Sequence, residues 1–188
     1  MKIFISFLSA MALLAGSLFI GGCSSLDNSG LTKAQKKEIR AQEDSLRALV
    51  AAKAVVDRQF IAIADQITLR RGRTFNVNSS LNYVSLNGND AVIQVASTSG
   101  WPGFNGLGGV TLKGTATDIR KSFDKKGNLS MSMRVSGSGL SGEVRLQMPK
   151  GSDRAYVQVK GTFSFNQLSM YCTVEPYDGT GVVQGSSL

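Results

Sequence analysis

From Phe60 to Val174, apolar and polar residues alternate one for one in short runs, and turn-forming residues separate the runs. Strict alternation puts one set of side chains on each face of an extended strand and does not fit a helix. The pattern is clearest from Tyr83 to Ala96. Val84 and Leu86 share one face, opposite Tyr83 and Ser85. After Asn87-Gly88-Asn89-Asp90, the residues Ala91, Ile93 and Val95 alternate with Val92, Gln94 and Ala96. Asn and Gly accept the positive φ of a tight turn, so this stretch predicts a hairpin. Beyond a glycine-rich loop, Val110 and Leu112 point one way and Thr111, Lys113, Thr115 and Thr117 the other. The threonine face is β-favouring and polar, and it is expected to meet water.

The same alternation runs on both sides of this stretch. Upstream, Phe60, Ala62 and Ala64 alternate with Ile61, Ile63 and Asp65, and the run continues from Ile67 to Leu69. Downstream, Leu129, Met131, Met133 and Val135 share one face. Val144, Leu146 and Met148 form another such set, as do Ala155, Val157 and Val159, and a last strand is expected from Leu168 to Val174. Lys125-Lys126-Gly127-Asn128, Ser136-Gly137-Ser138-Gly139 and Pro149-Lys150-Gly151-Ser152 supply turns between them. Short turns make sequential strands antiparallel neighbours. The expectation is a mainly all-β fold, an antiparallel meander of about eight strands, with an N-terminal α-helix. Such a sheet closes into a barrel or folds into two layers, and the alternation does not choose between them. The chain divides into a lipoprotein signal peptide (1–22), a lipidated tether (23–31), a helix (32–58) and the β domain (59–188).

The leader has a single cation, Lys2, then the apolar run Ile3 to Ile20 and Gly21-Gly22 before Cys23. This is the layout of a secretion signal. An uncleaved anchor of that length is the alternative. Ile20-Gly21-Gly22-Cys23 resembles the bacterial lipobox, which implies a diacylglyceryl group on the Cys23 thiol, cleavage before Cys23 and acylation of the new amino terminus. Each buried methylene contributes ~0.8 kcal/mol, so two or three chains hold a protein firmly on a bilayer. Ser24-Ser25-Leu26-Asp27-Asn28 lacks a strong acidic run, which favours the periplasmic side; the expected location is the outer membrane, facing the periplasm.

The helix is expected from Thr32, where Thr32-Lys33-Ala34-Gln35 fits a capping box. Up to Arg58 there is no Gly or Pro, and good helix formers dominate. Ile39, Leu46, Leu49, Val50 and Val56 recur at helical spacing and are expected to pack on the sheet. The first turns carry Lys33, Lys36, Lys37 and Arg40. A basic helix beside a membrane anchor resting on anionic headgroups is the alternative.

Composition narrows the function classes. The formal charge is +8 with a pI near 9.7, and loss of Lys2 with the leader leaves +7. A basic surface favours anionic partners such as headgroups or lipopolysaccharide, and ordinary solubility is the simpler reading of the same charge. Nucleic acid is not expected, because no recognition motif accompanies the charge. The chain has 21 glycines, 3 prolines and 1 tryptophan, consistent with many turns. With 2 cysteines and Cys23 lipidated, Cys172 stands alone beside Met170 and Val174 on one strand face, and core filling is expected of it. The chain has no histidine, which removes His-based triads and His-ligated zinc sites. Carboxylates are scattered; Asp65, Asp118 and Glu143 would have to converge in space to act together. No catalytic residue, metal site or cofactor is expected.

Two stretches are candidate contact sites. Gly100-Trp101-Pro102-Gly103-Phe104-Asn105-Gly106-Leu107-Gly108-Gly109 precedes a strand and lacks a following Gly-Lys-Ser or Gly-Lys-Thr, so it is not a phosphate loop. It is either a recognition loop anchored by Trp101 and Phe104, with Asn105, Gly106, Gly108 and Gly109, or a structural hairpin loop closing the barrel mouth. Arg70, Arg71 and Arg73 around Gly72 are candidate anion contacts, with solvated turn residues as the alternative.

Arg70-Arg71-Gly72-Arg73, Asn82-Tyr83-Val84, Ala91 to Ala96, Asn105-Gly106-Leu107-Gly108-Gly109-Val110-Thr111 with Gly114, and the tail Val183 to Leu188 together resemble a Bacteroidota lipoprotein family of unknown function. The resemblance covers Ala51 to Leu188. That family often carries Phe where Tyr83 stands and glycine near Cys172. It implies an envelope lipoprotein and no assigned activity. Two function classes follow. One is a binder of a small molecule or lipid, its barrel interior lined by Met131, Met133, Met148 and Met170, with plain core filling as the alternative role of these methionines. The other is an envelope interaction protein that docks through the glycine-rich loop or a strand edge.

Overall fold

The structure, a computed structural model, describes residues 32–69, 72–96, 109–162 and 167–179. One helix, α1 (Lys33–Asp57), leads into β1 (Gln59–Leu69). The other strands are β2 (Thr74–Asn76), β3 (Tyr83–Asn87), β4 (Asp90–Val95), β5 (Val110–Phe123), β6 (Leu129–Ser136), β7 (Ser141–Met148), β8 (Arg154–Gly161) and β9 (Gln167–Pro176). All pairings are antiparallel. One edge of β1 pairs with β3 through its first half and with β2 through its second. Its other edge pairs with β9 from Phe60↔Pro176 to Leu69↔Leu168. Strands β1 and β3–β9 therefore close an eight-stranded barrel, and β2 is an extra strand. The meander and the helix are as expected, and closure through β1 and β9 decides against two open layers.

The hairpin turns follow local chemistry. The loop between Asn87 and Asp90 places positive φ on Gly88 (64°), and the β5–β6 and β7–β8 turns place it on Gly127 (82°) and Gly151 (73°). These are conformations that glycine adopts without a Cβ penalty. These three turns share the barrel end where α1 meets β1.

The inward positions pack the core. Phe60, Val84, Leu86, Ile93, Leu112 and Val157 are buried, and so are Met131, Met133, Met148 and Met170. Two bulges adjust the alternation. In β1 the pairing skips Asp65, so Phe60, Ala62 and Ala64 face inward before it and Ile67 and Leu69 after it; unbroken alternation through Asp65 would turn Gln66 into the core. In β5 the register shifts between Thr117 and Arg120, where Asp118 takes φ 52°.

The outer face of β3–β5 departs from expectation. Tyr83, Ser85, Gln94 and Thr111 all point away from the barrel axis, yet all are buried. Thr111 does not meet water; its hydroxyl donates to Gln94 Oε1 at 3.3 Å, while Gln94 Nε2 donates to the Leu81 carbonyl. Burial, and secondarily Tyr177, pushes the Tyr83 phenol above its ordinary value.

Helix α1 starts at a complete capping box. Gln35 N–H donates to Thr32 Oγ1, and Thr32 N–H donates to Gln35 Oε1. It ends at Arg58, which adopts a left-handed conformation and donates its N–H to the Ala54 and Val55 carbonyls. The Lys121 ammonium, reaching across from β5, donates to the Val56 carbonyl at 2.5 Å and brings positive charge to the helix C-terminus. The face that packs on the barrel is Ala48, Ala51, Ala54 and Val55. The large apolar residues point the other way: Leu46 is 62% exposed, Leu49 65% and Val50 49%, and Ile39 and Val56 are exposed too. This overturns the expected orientation. The barrel end beneath α1 is already filled by residues such as Phe60, Leu129 and Met148, so only small side chains let the helix backbone come close.

Candidate functional site

A groove of about 550 Å³ lies on the outside of the barrel across β6–β9. Strand register builds it. Gln147 of β7 faces Tyr156 of β8, Tyr156 faces Tyr171 of β9, Tyr171 faces Gln66 of β1, and Gln66 faces Asn76 of β2. Two tyrosines and three amides thus form one row across five strands. The rings of Tyr156 and Tyr171 are 5.1 Å apart and tilted by 54°. Tyr171 is 49% exposed, so part of its ring is open to a ligand. Gln66 Nε2 donates to Asn76 Oδ1 at 3.1 Å, which orients the amides at the end of the row.

Arg154 stands beside the tyrosines and helps line the groove. Its guanidinium pairs with Asp65 Oδ2 at 2.6 Å and donates to Thr173 Oγ1 at 2.6 Å. Asp65 reaches Arg154 because it is the bulge residue of β1, and a bulge re-aims a side chain. The pair is about half exposed on both sides. It contributes at most about 1 kcal/mol to stability, and it presents both an acceptor and a fork of donors to an incoming molecule. Asp124 borders the groove at the β5–β6 turn. It accepts from the Asn128 N–H, the Asn128 amide and the Lys126 N–H, and these bonds, the Asn128 backbone one foremost, lower its carboxyl below the ordinary value.

A second cleft, of about 340 Å³, is polar and lined by Arg120, Arg134 and Arg145 with Asp118 and Glu143. The acids already answer much of the positive charge: Arg145 bonds Glu143 at 2.8 Å, and Arg134 lies 3.9 Å from Asp118. Asp118 and Glu143 come together here, while Asp65 lies apart from them, in a small cleft with Gln66, Asn76, Arg154 and Tyr171. Among the described residues no group of carboxylates and thiols is placed to hold a metal.

Of the expected contact residues, Cys23, Arg70, Arg71, Trp101, Phe104, Asn105, Gly106 and Gly108 lie outside the described residues. Arg73 is exposed and stacks over the Phe75 ring at 5.2 Å. Gly109 has a structural reason: a Cβ there would sit 1.7 Å from the Val95 carbonyl oxygen. Cys172 is fully buried between Ala64 and Ala155 of the neighbouring strands, and burial pushes its thiol up to about 12, with Asp65 adding to the rise. It is core filling, as expected. Sequence reading missed the tyrosine–amide row. The available signals were the doubled polar pair Asp65-Gln66, which breaks the alternation, and tyrosines on the polar faces of the last two strands.

The molecule is thus a closed antiparallel barrel with a core of large side chains, a helix across one end and a polar, aromatic groove on its outer wall. The chain belongs to the DUF4251 family, described as a domain of unknown function, whose match spans residues 42–174. Among solved structures it is similar to a DUF4251 family protein from Bacteroides eggerthii DSM 20697, with 33% identity, 74% of this chain and 94% of that chain covered, and a TM-score of 0.65. No curated protein matches the chain. The family match begins inside α1, so it includes the turns that pack on the barrel.

Proposed function

We propose that the chain is a non-catalytic binding lipoprotein of the cell envelope that takes its ligand on the outer wall of the barrel, in the Tyr156–Tyr171 groove. The observation that carries this reading is the juxtaposition of a half-open tyrosine pair, three in-register amides and the Arg154–Asp65 pair beside a groove of about 550 Å³. A partly exposed aromatic pair bordered by a few polar groups suits a small molecule with one apolar face and several hydrogen-bonding groups. Of the four methionines first considered as a ligand lining, Met131, Met133 and Met170 pack in the core, and Met148 borders both the core and the groove, which supports a site outside the barrel rather than inside. The leader and Cys23 support a lipid anchor, on the outer membrane facing the periplasm, that holds the domain at the bilayer.

The test is native mass spectrometry of the chain purified from its own envelope, set against the same sample denatured. The expected result is a discrete non-covalent adduct that Tyr171→Ala and Arg154→Gln each reduce severalfold, on a polypeptide whose Cys23 carries acyl chains. An adduct unchanged by both variants would move the site elsewhere, and an unmodified Cys23 would remove the anchor.

A further inference from the structure

We infer that the outward apolar stripe of α1, together with Phe123 at the barrel rim, is a docking surface for the bilayer itself, so that the helix-capped end of the barrel lies against the membrane. This rests on the envelope-anchored reading above. Leu46, Leu49 and Val50 are neighbours at i, i+3 and i+4, and all three are largely solvent-exposed. Ile39 lies two turns before Leu46, and Val56 two turns after Leu49. Phe123 is 61% exposed and shares with Leu49 and Ala52 a cleft of about 360 Å³ between the helix and the barrel rim. The apolar surface therefore continues from the helix onto the barrel. A contiguous exposed patch of this kind marks an interaction site.

The chain outside the structure says what covers it. Thr32, the N-cap of α1, stands nine positions after Cys23 and twelve after the end of the Ile3–Ile20 apolar run. Whether the chain is held by acyl groups on Cys23 or by the apolar run, a segment that short keeps the start of α1 within roughly 30 to 40 Å of the bilayer surface. Among the described residues no helix is long and apolar enough to cross a membrane, so contact of α1 with the bilayer would be along its surface. Its helical spacing puts Lys33, Lys36, Lys37 and Arg40 on the side away from the stripe, the side that farther along the helix packs on the barrel. Around the patch itself, Lys125, Lys126 and Lys150 stand in the exposed turns at the barrel rim near Phe123. Asp57, within the stripe, is paired with Lys53. The rim therefore presents cations to headgroups, which favours an anionic bilayer.

The experiment uses the full chain reconstituted in vesicles of phosphatidylcholine and phosphatidylglycerol. Spin labels go on Leu46→Cys, Leu49→Cys and Phe123→Cys, with Lys160→Cys at the opposite barrel end as the control. Cys172 is buried and stays unlabelled. Accessibility to oxygen, which partitions into lipid, is compared with accessibility to a water-soluble nickel chelate. The expected result is an oxygen-to-nickel ratio severalfold higher at 46, 49 and 123 than at 160. It should fall to the control value at 123 when Leu46→Glu and Leu49→Glu are combined, a change at exposed positions that leaves the melting temperature unaltered. A chain that sediments with the vesicles while all four labels stay in water overturns the docking surface and leaves the anchor intact. Spin–spin broadening at 46 that disappears on dilution with unlabelled chain overturns it in favour of a second copy. A chain that stays in the supernatant with Cys23 unmodified overturns the anchor, and the docking surface with it.

Discussion

Asn82 is 1% exposed, and the two ends of its side-chain amide serve different segments. Its Oδ1 accepts from the Ala96 N–H at 2.8 Å, and its Nδ2 donates to the Asn78 carbonyl at 2.9 Å. It thereby ties the end of β4 to the short 3-10 turn Ser79–Leu81 that feeds β3. Asn82→Ala leaves a buried N–H without its acceptor, which costs about 1–3 kcal/mol; urea unfolding should show a lower midpoint with an unchanged slope. Cys172 carries a prediction of the opposite kind, inertness. The folded chain holds its thiol proton up to about 12, whereas the unfolded thiol releases it near its ordinary value of 9.0. Between those values the unfolded state binds fewer protons than the folded one, so stability falls as pH rises from about 9 towards about 12. Below that window Cys172 has no effect on the pH dependence. Alkylation at pH 8 should be negligible in the native chain and complete in urea, and Cys172→Ala should abolish the reaction at that position. The burial of Cys172 was legible from its apolar strand neighbours. The role of Asn82 was not, because its partners are four and fourteen positions away and nothing local in the sequence records the second.

At the scale of elements, α1 shows where periodicity stops being informative. Its existence and its capped start were readable from composition and from Thr32 and Gln35. Its rotation was read backwards, because the largest apolar residues were assigned to the interior. Packing on a filled barrel end depends instead on how closely two backbones approach, and alanine allows the closest approach. The account predicts an inverted sensitivity. Ala51→Leu, at 1% exposure, should overpack the contact and cost about 1–3 kcal/mol. Leu49→Gln, on the open face, should stay within about 0.5 kcal/mol of the parent. Thermal unfolding of the two variants checks this, and the reverse ranking would mean that the helix packs through its large residues. The strands were more legible than the helix's rotation, since the barrel interior selects one alternate set in each. The exceptions have local causes. Strand β2 is only three residues long, too short to show a period. The outer face of β3–β5 is buried, so polar character at Thr111 did not mean exposure.

At the scale of the whole molecule, closure is the property no local pattern announces. Strands β1 and β9 stand at the two ends of the sheet in sequence, and their pairing creates the interior that the alternation fills. The same closure lines up the tyrosine–amide row, because Tyr171 and Gln66 become neighbours only when β9 meets β1. The tyrosines could be placed on polar strand faces from sequence, but their partner across the seam could not. On the proposed function, the barrel is a packed scaffold with its binding surface outside. The most direct measurement is an NMR titration of the chain, labelled at the methionine methyls and the tyrosine rings, with the ligand released from the native complex. Shifts of the Tyr156 and Tyr171 ring signals are expected while the methyls of Met131, Met133 and Met170, which do not line the groove, hold their positions. Shifts of those methyls with unmoved tyrosine rings would place the ligand inside the barrel and contradict it.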